Sequence, residues 1–254
     1  MSQRSVPATT FHGESRSVDV GHVFKWLGRG WSLFMAKPVR WLLLTLALIV
    51  IMHVMLFIPY YGGWLISNVL LPVFVAGMLR AGQRTADKDA LKFSDLLAGF
   101  SQKTDSLIIL GALYGLVQLL VFLLVFAISG GSVLMPLLFR GTLGGMTDSA
   151  SMFFLVPLYM AMWFAPALVF FEDAPPLTAI KASFFACCKN IVPFLVYGVL
   201  IFLLWTLAGL PFKLFSVVRL SYLTIWLFAF IPYIFLPVLF GSMLASYRDV
   251  FAGE

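Results

Sequence analysis

Trp31-Ser32-Leu33-Phe34-Met35-Ala36-Lys37-Pro38-Val39-Arg40-Trp41-Leu42 is the stretch from which the fold can be read, because the chain holds it three times in outline. Its skeleton of Trp31, Phe34, Lys37 and Trp41 aligns without gaps with Leu97, Phe100, Lys103 and Leu107, and again with Ser183, Ala186, Lys189 and Pro193. Each copy leads into a long apolar run, then into a second run carrying Pro72, Pro157 or Pro237. The best pair of second runs is Leu71-Pro72-Val73-Phe74-Val75-Ala76-Gly77-Met78-Leu79 against Leu236-Pro237-Val238-Leu239-Phe240-Gly241-Ser242-Met243-Leu244, with five of nine positions identical. Such self-similarity defines an architecture before any residue is given a role. The repeats cover about 21–85, 91–173 and 177–248.

Composition says what the repeated unit is. Mean hydropathy is +1.00, with 61% hydrophobic and 11% charged residues. Soluble domains carry about a quarter charged residues, and a soluble fold of this size could not hide so much apolar surface. A span needs roughly 20 apolar residues. Six runs meet that need: 41–58, 64–79, 107–128, 152–171, 191–210 and 222–245. The expected fold class is therefore all-α. It is a polytopic membrane protein with six transmembrane helices, as three parallel two-helix hairpin repeats, each preceded by a cytoplasmic amphipathic helix. Residues 1–20 are polar and lack the apolar core of a signal peptide, so they are expected as an uncleaved, disordered cytoplasmic tail. Residues 21–250 form one membrane domain.

Basic residues set the sidedness. Fourteen of the 17 lie in the N-terminal arm, the three lead-in segments and the C-terminal tail; Arg140, Lys213 and Arg219 lie on the other side. The positive-inside rule puts both termini in the cytoplasm of a bacterial inner membrane. The net charge of +6 follows from this topology and does not point to nucleic acid. It favours anionic headgroups by about 1 kcal/mol per well-placed cation. The candidate headgroup contacts are Lys25, Arg29, Lys37, Arg40, Lys103, Lys181 and Lys189.

Phe24, Leu27, Trp31 and Phe34 share one helical face, with Lys25, Arg29 and Ser32 on another. Pro38 ends that helix and lets the chain turn into the bilayer. Phe93, Leu96, Leu97 and Phe100 form a weaker second face, and Ile180, Phe184, Cys187 and Ile191 a third. These elements are expected to anchor and orient the hairpins. The segment 129–150 holds an apolar run too short to span. The segment 211–221, with Lys213 and Arg219 among apolar residues, fits an outer-leaflet interfacial helix.

No Asp, Glu, Lys or Arg falls in the middle of a span, where ionisable groups mark ion and proton pathways. His53, Asn68 and Gln118 are the candidate intramembrane polar residues, read first as interhelical hydrogen-bonding groups. No HExxH, GxSxG, phosphate loop or Cys/His array occurs. No catalysis, cofactor or metal is expected. Cys187 and Cys188 are neighbours, too close for an unstrained disulfide, and read as packing residues on an interfacial helix. The prolines within spans, each followed by small residues, read as packing devices.

Gly30-Trp31-Ser32-Leu33-Phe34 with Lys37-Pro38 and Trp41 resembles the start of an uncharacterised proteobacterial six-span inner-membrane family. Ala165-Pro166-Ala167-Leu168-Val169-Phe170-Phe171-Glu172-Asp173 and the later Lys181, Ser183, Phe184, Ala186, Cys187, Lys189 and Asn190 resemble its second half. The similarity covers roughly 22–250. It extends more loosely to YciC-like and glycerophosphodiesterase membrane-domain proteins, and it implies no activity. The expected role is a non-catalytic scaffold or accessory protein binding lipid or partner proteins, with a homo-oligomer also open. The alternative is a transporter or lipid-translocating protein, which would need a polar cavity joining His53, Asn68 and Gln118.

Overall fold

The computed structural model describes residues 14–59, 62–128, 149–217 and 221–253. Within them there is no strand, and six helices are long and apolar enough to cross a membrane. The elements in chain order are α1 (His22–Ala36), α2 (Pro38–Leu56), α3 (Gly62–Ala86), a 3₁₀ turn (Phe93–Asp95), α4 (Ala98–Ser101), α5 (Thr104–Ile128), α6 (Ser149–Trp163), α7 (Ala165–Glu172), α8 (Pro176–Lys189), α9 (Ile191–Val217) and α10 (Ser221–Tyr247). A π-helical turn over Arg248–Ala252 follows α10.

Three boundaries differ from the sequence expectation. The fourth span is broken at Phe164 into α6 and α7, where Pro166 removes a helical amide donor. The stretch from 211 does not start a separate interfacial helix. α9 continues through Pro211 to Val217, as a spanning helix can where the carbonyl freed by a missing donor is satisfied locally. The second lead-in is not one helix but the 3₁₀ turn followed by the single turn of α4. The apolar run at 133–139 lies outside the described residues.

The helices sort into two kinds. Packed residues make up 61% of the span window in α10, 56% in α3 and 50% across α6–α7, against 33% in α5, 22% in α2 and 11% in α9. The second, fourth and sixth spans are thus inner and the first, third and fifth are outer. The inner three touch one another. α3 packs on both α10 and α7, Trp163 donates to Ser246 Oγ at 3.3 Å, and Phe171 stacks on Tyr247.

Each outer span packs on the span that follows it and on one other inner span. α5 packs on α6 and α3, and α2 on α3 and α10. α9 packs on α10, and its Phe194 and Tyr197 meet Trp163 of α6. The lead-in elements follow the same rule: α4 lies on α3, α8 on α6 and α1 on α10. Close backbone approach holds these contacts, as small residues allow. A Cβ added at Gly111 would lie 2.0 Å from the Val69 carbonyl oxygen, one at Gly77 2.1 Å from that of Leu96, and one at Gly30 2.4 Å from that of Val238.

Candidate functional site

The densest chemistry lies where the two ends of the described chain meet. α1 runs antiparallel along the last turns of α10, with Gly30 against Gly241 and Ser242 and His22 and Trp26 beside Asp249. Asp249 is 3% exposed. Its carboxylate accepts from Trp26 Nε1 at 2.7 Å, lies 2.7 Å from His22 Nδ1 and pairs with Arg16. A buried carboxylate needs such a full set of partners. Arg16 N also donates to Val250 O, and Asn190 grips the same segment through Val18 N and Arg16 O. Residues 14–20, which the sequence reading assigns to the loose tail, are therefore tied to the end of α8 and to the π-helical turn that follows α10; residues 1–13 lie outside the described residues.

α1 has three faces. Val23, Trp26, Gly30 and Phe34 are buried against the bundle. Phe24, Trp31 and Met35 are exposed on a second face, and Lys25 and Arg29 are exposed on a third. The apolar stripe expected from sequence is thus divided: Phe34 faces protein, while Phe24 and Trp31 face outward. In the second lead-in, Leu96 is buried while Phe93, Leu97 and Phe100 are exposed. In α8 the packed face is Ala179, Ser183, Ala186 and Cys187.

The candidate headgroup residues divide too. Lys37, Lys103 and Lys189 are each engaged by a connecting segment: Lys37 Nζ donates to Asp89 O, Lys103 pairs with Asp173 and Lys189 Nζ donates to Ser15 O. Arg40 donates to Leu91 O at 3.3 Å. Lys25, Arg29 and Lys181 are exposed. Lys37, Arg40 and Lys88 line a groove of about 490 Å³ together with Pro38, Val39 and Ala90.

The candidate intramembrane residues do not converge. His53 is exposed on α2, with Nδ1 2.8 Å from Ile49 O of its own helix. Asn68 donates to Trp64 O of α3, and its Cβ faces Gly115 of α5. Gln118 is 4% exposed, and its Oε1 has no hydrogen-bond partner among the described residues.

Several structural groups escape a sequence reading. Ser183 Oγ donates to Met160 O at 2.7 Å and accepts from Phe164 N at 2.9 Å, so it fills the gap in the helix ladder opened before Pro166. Asp95 is 4% exposed, caps Lys92 N and pairs with Arg84. Cys187 is buried with Sγ 3.4 Å from Met160 O, and burial, with Cys188 adding to it, pushes its thiol up to about 12. Cys188 is exposed. No group of three or more His, Cys, Asp or Glu among the described residues could hold a metal ion.

The chain is 27% identical, over 92% of both chains, to a Burkholderia thailandensis protein named as a probable inner membrane protein. No family model matches the chain, and no solved structure matches it. With the six apolar helices, this likeness supports a multi-pass membrane protein.

Proposed function

We propose that the chain is a non-catalytic scaffold or accessory protein of the bacterial inner membrane, made of three copies of one hairpin closed into a ring. Both termini lie in the cytoplasm, and the end where they meet binds anionic lipid or a partner protein. The ring rests on recurrence. Equivalent positions on the outer helices are buried in every copy: Trp41, Leu107 and Pro193, and likewise Thr45, Gly111 and Tyr197. The aligned Lys37, Lys103 and Lys189 each bond the segment that precedes the next lead-in. For Lys189, the third, that segment is the N-terminal arm, so α1 takes the place on α10 that α4 takes on α3 and α8 on α6. Parallel repeats related by an axis along the membrane normal have this logic.

The observation that carries the role is α1. Its packed face fixes it to the ring, leaving Phe24, Trp31 and Met35 beside Lys25 and Arg29. Aromatics in the headgroup region with cations at the phosphates is the chemistry of an interfacial amphipathic helix. The transport reading draws on Gln118, buried with its Oε1 unpartnered among the described residues; the outward position of His53 counts against it.

The test is reconstitution into phosphatidylcholine vesicles with and without phosphatidylglycerol. Phosphatidylglycerol raises the melting temperature of the wild type and does so less in K25E/R29E. Fluorescent-lipid translocation stays at the rate of empty vesicles. Translocation above that rate transfers the assignment to a lipid-translocating protein.

A further inference from the structure

We propose that the groove at the foot of α2 binds the phosphate group of one anionic phospholipid, whose acyl chains lie along the outward face of that helix. The lining places Lys37, Arg40 and Lys88 around one depression of about 490 Å³. Lys37 and Arg40 are held by the carbonyl oxygens of Asp89 and Leu91. A carbonyl orients a cation without neutralising it, so the ammonium and guanidinium keep charge and spare donors for a phosphate oxygen. Lys88 has a positive φ of 61° as the left-handed cap that ends α3, its own N–H bonded to Thr85 O and that of Asp89 to Arg84 O, which fixes its backbone beside the groove. The carboxylates of Asp87 and Asp89 belong to the same exposed connector, and their presence limits the net attraction.

The groove stands at the first residue of a spanning helix, Pro38, the level at which headgroups lie. Directly above it, Val39, Leu43, Leu46, Val50 and Val54 are 67, 45, 41, 50 and 60% exposed. Their spacing of four, three, four and four puts them in one line along α2. A cationic pocket continuing into an exposed apolar line fits both parts of a phospholipid, whereas a soluble phosphate ester would use the pocket alone. Sequence reading counts all three in a diffuse basic surface and leaves Lys88 out of the candidate headgroup contacts. The groove joins the three into one site.

This inference rests on the reading of the terminal end as facing an anionic leaflet, but on different residues from α1. Native mass spectrometry of the purified full chain, with phosphatidylglycerol or phosphatidylcholine added, reads it directly. One phosphatidylglycerol is retained per chain in preference to phosphatidylcholine. R40Q/K88N weakens that binding about thirtyfold, as loss of two headgroup cations at about 1 kcal/mol each requires. K88N keeps a residue that accepts the left-handed conformation, and an unchanged melting temperature in lipid-free detergent shows that the variant folds. K25E/R29E leaves this single lipid in place. Equal retention of both lipids, or R40Q/K88N binding like the wild type, overturns the site while leaving the α1 reading intact. Loss in K25E/R29E but not in R40Q/K88N moves the lipid to α1. Displacement by inorganic phosphate or glycerol phosphate overturns the lipid assignment in favour of a soluble phosphate ester.

Discussion

α9 and α10 follow one another and are equal in length at 27 residues, yet 11% of the span window Ile191–Ala208 is packed against protein and 61% of the window Tyr233–Ala252. The packed helix is the less apolar one. The same holds throughout: the three most buried spans are the three least hydropathic. This reverses the order of a soluble core, for a physical reason. Lipid tails solvate Leu as well as a protein interior does, so helices in a bilayer associate through close packing and interhelical hydrogen bonds. α10 supplies Gly241, Ser242 and Ser246, all buried, with Tyr197 bonded to Ser242 at 2.5 Å. α9 turns Leu195, Val199, Phe202 and Leu203 outward.

The sharpest way to break this contrast is to add bulk at an inner contact. Gly111→Val puts a side chain into the Val69 carbonyl, and the clash exceeds the roughly 1–3 kcal/mol of ordinary overpacking. The expected result is loss of the monodisperse peak in size-exclusion chromatography. Gly198 on α9 has nothing within 4 Å of an added Cβ, so Gly198→Ala stays within about 0.5 kcal/mol of wild type.

Asp249→Ala comes next. It strips Arg16, His22 and buried Trp26 of their common acceptor and costs about 3 kcal/mol, the scale of a broken buried charge pair. The melting temperature falls, and limited proteolysis cuts near residue 20 at a protease concentration the wild type survives. Cleavage unchanged from wild type would show that the arm is held elsewhere.

Ser183→Ala reopens the gap between Phe164 N and Met160 O and costs about 2 kcal/mol, because two buried backbone groups lose partners. At the outer surface, Val199→Ala in the lipid-facing line of α9 changes thermal stability by less than about 0.5 kcal/mol.

The smallest effect is chemical. At pH 8 the exposed Cys188 reacts with a maleimide. Cys187, protonated because its pKa is raised to about 12, does not. Intact mass shows one label per native chain and two after denaturation. Two labels on the native chain would contradict the packing of α8 on α6.

The outline of this fold was legible because each span is a long local signal. Spanning helices satisfy their own backbone, so length and hydropathy locate them without knowledge of neighbours. The lead-ins were less so. Phe24, Leu27, Trp31 and Phe34 form a valid helical stripe, but periodicity does not tell a face that meets lipid from one that meets α10. The two stripes lie side by side on α1, and the packed one runs through Trp26 and Gly30. The place of Lys37, Lys103 and Lys189 ahead of three apolar runs was visible, whereas their bonds to a distant connector were not, since they join residues far apart in the chain.

The sequence by itself determined that the chain is helical and apolar enough to cross a bilayer six times, because composition and local periodicity carry those properties. Only the tertiary structure decided which spans are inner, that Asp249 gathers the N-terminal arm, and that Ser183 mends a broken helix. Those outcomes depend on backbone approach and on donors meeting acceptors across long sequence separations, which no local pattern encodes.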